Sequence, residues 1–124
     1  MSKILIAEDE VLMLKALEFK LKKDGYQVDV AVDGRQAMDK VKNNTYDLIL
    51  TDVMMPFVGG MEILSYIKND PIKKNTPVLL ISAVGLENVV LEGFQLGADD
   101  FIYKPFNLNE LSVRIKRYIK QNVF

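Results

Sequence analysis

Five side chains able to take part in chemistry directly follow short apolar runs in this sequence: Glu8, Asp9, Asp52, Ser82 and Lys104. If folding brings them together, the three carboxylates repel one another, and each pKa rises unless a cation is supplied. Mg²⁺ takes oxygen ligands in octahedral geometry, whereas zinc prefers His and Cys, so an acidic cluster suits Mg²⁺ better than zinc. The residue types therefore indicate a site for a hard divalent cation beside a hydroxyl and an ammonium.

Each of these residues also has an ordinary structural interpretation. Glu8 and Asp9 could cap the helix that follows them and complement its dipole. Asp52 could belong to a strand-to-helix turn, and Lys104 could be a solvated charge ahead of a turn-forming Pro105. Spacing alone leaves these alternatives open for each residue, but four strand ends that converge at one edge favour a shared site.

Five short apolar runs separated by helical patterns predict five βα units, with strands at 4–7, 28–32, 48–51, 78–81 and 101–103. Three of the runs are continuously apolar, as in parallel strands that are covered on both faces, whereas Asp29 marks the second run as an edge strand. Apolar residues recur at helical spacing at Leu14, Leu17 and Leu21. Alternating elements of this kind predict an open parallel sheet whose crevice lies beyond the carboxyl ends of its strands.

The composition is that of one globular domain, with 124 residues of which 49% are hydrophobic and 27% charged. Lys and Arg number 16 against 17 Asp and Glu, so a basic surface for direct binding of nucleic acid is not expected. Cys is absent, and no apolar run approaches the ~20 residues of a membrane span. We expect a single domain over residues 1–124, without an output domain in this chain, located in the cytoplasm and not at a membrane.

Four motifs in order carry a resemblance to a known family: the acidic pair Glu8-Asp9, "DVMMP" from Asp52 with Gly60 behind it, Ser82-Ala83, and "GADDFIYKPF" from Gly97 to Phe106. On these motifs the chain resembles a bacterial two-component receiver domain, the CheY-like part of a response regulator. The resemblance implies an α/β fold, a doubly wound (βα)5 flavodoxin-like three-layer sandwich. It also implies a five-stranded parallel sheet of order 2-1-3-4-5.

The resemblance implies that Asp52 is the phosphoacceptor, which takes a phosphoryl group from the phosphohistidine of a partner. That partner is a sensor histidine kinase or a histidine phosphotransfer protein, and the chain itself contains no His that could act as donor. By the same resemblance Mg²⁺ (or Mn²⁺) is held by Glu8, Asp9 and Asp52 through their side chains and by Met54 through its backbone carbonyl.

Further roles follow from the same resemblance. Lys104 bridges the phosphoryl oxygens and Asp52, the Ser82 hydroxyl bonds another phosphoryl oxygen, and the small Ala83 leaves the approach open. The Lys104-Pro105 bond is expected to be cis, against a base rate of about 5–6% for X-Pro bonds. Three positions depart from the commonest family pattern, with Glu8 for Asp, Ser82 for Thr and Gly59 for Asp.

The expected output is a change at the surface formed by helix 4, strand 5 and helix 5, driven by inward movement of Ser82 and rotation of Phe101. A separate output protein or a DNA-binding domain missing from this chain would read it. Four residues, Asp100, Glu110, Arg114 and Arg117, resemble part of a set that supports phosphorylation-dependent homodimers. Solvated helix-face charges are the ordinary interpretation of the same residues.

The chain is not expected to be a turnover enzyme, although it assists its own phosphorylation and slow dephosphorylation. Met54 and Val84, two residues beyond Asp52 and Ser82, lack the hydrogen-bonding groups that could orient an attacking water. We therefore expect slow autodephosphorylation. The two glycines at Gly59 and Gly60 are expected to serve turn geometry before the third helix.

Three rival functions share parts of this pattern. A flavin binder of the same fold needs a Ser, Thr or Gly cradle after strand 1, where "AEDE" would repel a phosphate. A dehalogenase-type phosphatase needs its Asp nucleophile in a D-x-D motif after strand 1, whereas Asp52 follows strand 3. The alternative that remains is a pseudo-receiver, a non-phosphorylated scaffold of the same fold, which normally lacks one of the acids or the Lys.

Overall fold

The computed structural model describes residues 1–83 and 87–120, in which strands and helices alternate. The elements are β1 (Lys3–Ala7), α1 (Val11–Lys23), β2 (Gln27–Ala31), α2 (Gly34–Asn43), β3 (Leu48–Asp52), α3 (Gly60–Asn69), β4 (Val78–Ala83), α4 (Glu87–Gln95), β5 (Asp100–Lys104) and α5 (Leu108–Lys120). Helices of the described residues are all too short or too polar to cross a membrane.

The five strands form one sheet in the order β2-β1-β3-β4-β5, and every neighbouring pair is parallel. This confirms the predicted fold class and strand order. β2 is an edge strand, as its Asp29 indicated, and the Asp29 carboxylate accepts a hydrogen bond of 2.7 Å from the Tyr46 hydroxyl. The sheet order reverses at β1, which places a crevice between the ends of β1 and β3.

Alternate residues of the strands feed two apolar layers, one on each face of the sheet. Ile4 and Ile6 of β1 pack with the buried faces of α1 and α5, whereas Leu5 and Ala7 pack on the side of α2, α3 and α4. Continuous apolar runs arise because both faces of these strands are covered. A fully buried Leu or Ile contributes roughly 1.5–3 kcal/mol, so burial on both faces holds the strand ends firmly in place.

The strands extend further than the apolar runs predicted. β3 includes Asp52, β4 includes Ser82, and β5 includes Lys104, each of which was expected to follow its strand. The reason is the ladder, since Asp52 pairs with Ile81 and Ala83 pairs with Lys104. Parallel pairing continues past the last apolar residue, so these three side chains stand on strand backbone, whereas Glu8 and Asp9 directly follow β1.

A buried hydroxyl connects the end of α1 to α5. The Ser112 hydroxyl donates to Asp24 Oδ2 at 2.5 Å, and Lys20 Nζ lies 3.4 Å from Asp24 Oδ1. Burial alone would raise the pKa of the Asp24 carboxyl, but the Ser112 hydrogen bond and the Lys20 ammonium together lower that pKa below its ordinary value.

Replacing Ser112 by Ala removes the donor to Asp24. We expect Ser112→Ala to lower the free energy of unfolding at neutral pH by about 1.5–3 kcal/mol, the usual range for a hydrogen bond to a charged group. Because the folded pKa of Asp24 lies below its unfolded pKa, this stability is present above the unfolded pKa and is lost as pH falls through the folded one. Urea unfolding at neutral and at strongly acidic pH measures both values.

Ser65→Ala is the matched control, because the Ser65 hydroxyl accepts a hydrogen bond of 3.2 Å from the neutral Asn69 amide. Its effect on stability should be smaller and should not depend on pH. An equal loss of stability for Ser112→Ala at neutral and acidic pH would show that the Asp24 charge is not stabilised by this bond.

Candidate functional site

Asp52 ends the central strand β3 at the crevice and is 5% exposed. Its Oδ2 accepts a hydrogen bond of 2.7 Å from Lys104 Nζ at the end of β5, and its Oδ1 accepts one of 3.2 Å from the Met54 backbone N–H. Both carboxylate oxygens therefore have donors. The solvated-charge interpretation of Lys104 is wrong, because its ammonium points into the crevice and binds Asp52.

Glu8 and Asp9 join Asp52 in one acidic cluster. One carboxylate oxygen from each residue lies within 4.8 Å of the others, and the three side chains come from the ends of β1 and β3. Asp9 is exposed, whereas Glu8 is 0% exposed. The cluster that the sequence predicted from strand ends is thus present in the structure.

The buried Glu8 carboxylate is incompletely satisfied. Its Oε2 accepts a hydrogen bond of 3.1 Å from the Glu10 backbone N–H. Its Oε1 lies 3.0 Å from Lys104 Nζ, yet the angle does not make a hydrogen bond, and within residues 1–83 and 87–120 it is the single buried side-chain polar atom without such a partner. Buried polar atoms are almost always hydrogen-bonded, so an orphaned carboxylate oxygen is a marker of a site for a cation.

The electrostatics of the cluster agree with this geometry. Burial and, less strongly, the neighbouring Asp52 carboxylate raise the pKa of Glu8 to about 7, against the lowering effects of the Glu10 N–H and Lys104. Burial would lower the pKa of Lys104, but its hydrogen bond to Asp52 and its ion pairs with Asp52 and Glu8 outweigh burial and raise that pKa. Lys104 is therefore a permanent cation, and one ammonium faces three acids.

The helix-capping alternative for the acidic pair is not what the structure shows. The N-cap residue of α1 is Glu10, and no side chain makes a capping hydrogen bond to that helix. The residues present fit a hard divalent ion, because three clustered carboxylates include an oxygen that protein donors leave unsatisfied.

Of the remaining predicted residues, Ser82 and Ala83 end β4, and Pro105 directly follows β5. Ser82 is buried in β4, and its hydroxyl makes a long bond of 3.3 Å to the Ala83 carbonyl, so it is weakly held. Ala83 is exposed, and the Lys104-Pro105 peptide bond is cis. Val84 lies outside the described residues.

Phe101 is buried under α4 in this structure. Its ring centroid lies 5.2 Å from that of Phe94, and a Cβ on Gly93 would come within 2.5 Å of the Phe101 Cζ atom. The ring thus occupies space that only a glycine at position 93 leaves. The predicted rotation of Phe101 into space left by Ser82 stays a prediction.

The loop between β3 and α3 contains features that the sequence did not reveal. Gly59 and Gly60 stand at the turn into α3, where they were expected, with Gly59 as the N-cap residue at φ −84, but neither glycine has positive φ. Gly60 is needed for close approach instead, because a Cβ there would lie 2.3 Å from the Asp52 carbonyl oxygen. The left-handed residue of this loop is Phe57, with φ 73. Met54 is 70% exposed.

The charged residues of α5 and β5 are partly satisfied within the chain. Arg114 lies 3.1 Å from both Asp100 and Glu110. Burial would lower the pKa of Arg114, but the charge of Asp100 and the hydrogen bonds to both acids raise it. The predicted homodimer receives no test from these contacts.

Comparison with known proteins agrees with this site. Residues 4–116 match the response regulator receiver domain. Response regulator ArlR of Staphylococcus saprophyticus is 39% identical over 98% of this chain and 54% of its own length, so the chain spans about half the length of the curated relatives it matches.

Two solved structures extend the comparison. A receiver domain of a Francisella response regulator superposes with a TM-score of 0.89 and 32% identity over 98% of each chain. Response regulator TrrA of Thermotoga maritima, solved in complex with Mg²⁺-BeF, superposes with a TM-score of 0.84 and 30% identity over 95% of this chain and 99% of TrrA.

A parallel α/β sheet with an acidic cluster and a Lys at its carboxyl edge defines a class of signalling domain. The chain belongs to the response regulator receiver domain family of two-component signalling. Response regulators receive phosphoryl groups from histidine kinases, and their receiver domains are signalling proteins rather than turnover enzymes.

The unsatisfied Glu8 carboxylate leads to a prediction about stability. In metal-free buffer with a chelator at about pH 8, we expect Glu8→Gln to raise the free energy of unfolding by roughly 1–3 kcal/mol, the scale of an unsatisfied buried group. The reason is that Gln removes a buried charge facing Asp52, while its amide oxygen still accepts the Glu10 N–H. Urea unfolding measures the difference.

Glu10→Gln serves as control, since it neutralises an exposed neighbour and should change stability by less than about 0.5 kcal/mol. A Glu8→Gln protein that is less stable than the unaltered chain would mean that Lys104 already compensates the Glu8 charge.

Proposed function

We propose that the chain is a phosphorylation-dependent switch in which Asp52 accepts a phosphoryl group from the phosphohistidine of a partner kinase or phosphotransfer protein. The observation that carries the proposal is the arrangement at Asp52. A strand-end carboxylate is bonded to Lys104 at 2.7 Å and stands beside a buried, unsatisfied Glu8 oxygen. The Lys104 ammonium is already in position to receive an incoming group that is negatively charged, and a cation held by the acids would add to that positive charge.

The proposed transfer moves one phosphoryl group between two proteins. An Asp52 carboxylate oxygen attacks phosphorus in line with the phosphorus–nitrogen bond of the donor, that bond breaks, and its electron pair leaves with the imidazole, which takes up a proton. Asp52 stands on the rigid end of β3, so its oxygen is held at a fixed position for attack.

Glu8, Asp9, Asp52 and the Met54 carbonyl are proposed to hold the divalent cation, with Mg²⁺ favoured because the related TrrA is a complex with Mg²⁺-BeF. When bound, this ion supplies positive charge to the crowded carboxylates and to the phosphoryl oxygens. The family resemblance implies this ligand set, and the unsatisfied Glu8 oxygen and the hard-oxygen chemistry of the three acids support it. Mn²⁺ meets the same requirement.

Lys104 and Ser82 are proposed to receive the phosphoryl oxygens. The Lys104 ammonium already contacts the Asp52 and Glu8 carboxylates, at 2.7 and 3.0 Å, and offers three donors. The Ser82 hydroxyl is held only by a 3.3 Å bond to the Ala83 carbonyl, so it can turn to a phosphoryl oxygen with little loss. The small Ala83 side chain leaves the approach open.

The proposed output is a change at the surface of α4, β5 and α5. Ser82 pairs with Tyr103 across the ladder, two residues from Phe101, whose ring contacts α4 at Gly93. Movement of Ser82 therefore reaches α4 through neighbouring strand positions. A separate output protein, or a DNA-binding domain in a longer relative, would read this surface. Homodimerisation through it stays a hypothesis.

The pseudo-receiver scaffold is the second candidate, and it makes no use of the site. Every acid and the Lys that a phosphoacceptor needs are present and in contact, so no residue of this chain favours the scaffold. Chemical labelling separates the two functions.

Acetyl phosphate with Mg²⁺ should label the purified chain with one phosphoryl group. We expect intact-protein mass spectrometry to show the added phosphoryl mass, and we expect no addition in Asp52→Asn or when a chelator removes Mg²⁺. Lys104→Ala should slow labelling by roughly 100-fold, the usual effect of losing one preorganised donor.

Asp39→Asn is the matched control, because it makes the same change at an exposed acid on α2 and should label normally. An unlabelled native chain, or labelling that persists in Asp52→Asn, would reject Asp52 as phosphoacceptor and favour the scaffold.

The lifetime of the phosphoryl group should depend on Met54. Its exposed thioether offers almost no hydrogen bonding to an attacking water, so we expect slow autodephosphorylation in the native chain. Met54→Asn should shorten the lifetime about tenfold, or roughly 1.4 kcal/mol of barrier. Mg²⁺ affinity should stay nearly unchanged, because the proposed ligand is the backbone carbonyl.

Loss of the phosphoryl mass with time, after acetyl phosphate is removed, measures this lifetime. Met61→Asn, at a partly buried Met of α3, is a control for the chemical change alone. A native lifetime of seconds, or no acceleration in Met54→Asn, would show that this position does not control hydrolysis.

A further inference from the structure

The loop between β3 and α3 contains a tight turn centred on Phe57. The Val58 N–H donates to the Pro56 carbonyl at 2.9 Å across it, and Phe57 has φ 73, which makes a γ-turn in its left-handed form. This form is rare and strained. A bulky aromatic residue at positive φ is an outlier and persists only where the surrounding structure fixes it.

The first turn of α2 is the structure that fixes it. The Gly34 N–H donates to the Pro56 carbonyl at 3.3 Å, and a Cβ on Gly34 would lie 1.6 Å from the Val58 carbonyl oxygen, so the two backbones touch. The Arg35 guanidinium lies 3.9 Å from the centre of the Phe57 ring. That ring is 67% exposed, so the guanidinium covers a side chain that otherwise faces solvent.

The same loop carries Met54, two residues beyond the proposed phosphoacceptor Asp52. At the base of the loop, the Gly60 N–H donates to the Val53 carbonyl at 2.9 Å. At its tip, the turn at 56–58, the Pro56 carbonyl accepts from the Gly34 N–H of α2. Met54 lies between these two anchors, and its N–H donates to Asp52 Oδ1 at 3.2 Å. The orientation of the Met54 peptide therefore depends on where the tip is held.

We propose that Arg35 and Phe57 are positioning residues for the cation site. The guanidinium stacks on the ring and keeps the left-handed turn in place, and the turn keeps the Met54 carbonyl aimed at the cation. The proposal rests on the proposed function, in which that carbonyl is a metal ligand. Arginine suits this role better than lysine, because its planar guanidinium stacks on an aromatic face.

The direction of the change in Mg²⁺ affinity on removing Arg35 distinguishes this proposal from a purely electrostatic effect. Removing a positive charge near an acidic cluster should tighten the binding of a divalent cation. Loosening the loop should weaken it. Arg35→Ala is therefore expected to weaken Mg²⁺ binding by about two- to fivefold, the factor that corresponds to an exposed cation–π contact of about 0.5–1 kcal/mol.

Calorimetric titration of the full chain with Mg²⁺ measures this affinity, and amide hydrogen exchange at Val58 and Gly60 measures the loop directly. We expect faster exchange in Arg35→Ala and a smaller change in Arg35→Lys. Lys42→Ala is the matched control, since it removes a similar contact, 5.6 Å from the Tyr66 ring, near the other end of α2. It should leave both measurements unchanged.

Phe57→Gly tests the strain itself. Glycine adopts positive φ freely, so the turn no longer needs the contact with Arg35 to hold it in place. When Arg35→Ala is combined with Phe57→Gly, we expect it to cause no further weakening of Mg²⁺ binding and no further increase in exchange. An undiminished effect in that combination would overturn the proposal, because Arg35 would then act without the ring.

Two further outcomes also decide the matter. Unchanged or tighter Mg²⁺ binding in Arg35→Ala, with loop exchange equal to that of Lys42→Ala, overturns the positioning role. If the native chain binds no Mg²⁺, the proposed function fails. Faster exchange at Val58 in Arg35→Ala would in that case still show that the contact between Arg35 and Phe57 holds the loop in place.

Discussion

Repulsion between buried carboxylates at the end of the sheet is the constraint on which the rest of the site depends. Glu8 and Asp52 end neighbouring strands and share one ammonium, which bonds to Asp52 and leaves a Glu8 oxygen unsatisfied. Burial raises the pKa of Glu8 to about 7, so the cluster is held at a higher free energy than separated, solvated acids would have. A bound cation or an added charge on Asp52 changes this balance at once.

The apolar sheet is what keeps the acids together. Ile4 and Ile6 pack on one face of β1 and Leu5 on the other, so the strand cannot shift to relieve the repulsion. A slip of one residue would exchange the two faces and expose the core. Hydrophobic packing along the strands therefore offsets the electrostatic repulsion at their ends. The repulsion lowers the stability of the fold, but it makes the site sensitive to added charge.

The parts of the site that depend on strand ends could be predicted from the sequence. The acids, Ser82 and Lys104 could be located because parallel strands bring their carboxyl ends to one edge, and Asp29 indicated the edge strand. The orphaned Glu8 oxygen could not be predicted, because it depends on the angle at which Lys104 approaches. The Gly59-Gly60 pair suggested a glycine turn, yet the left-handed residue is Phe57, whose type disfavours positive φ and whose stabilising contact comes from a distant helix.

The contact between Phe101 and Gly93 shows how a local change at the site can reach the surface. A Cβ at position 93 would lie 2.5 Å from the ring, so ring and helix backbone touch with no space between them. Closely packed interiors transmit displacement because they have no voids to absorb it. If the Phe101 ring moves within this packing, α4 must move with it or lose its contact with the sheet. We propose that the switch uses this packing to convert a change at the strand ends into a movement of α4.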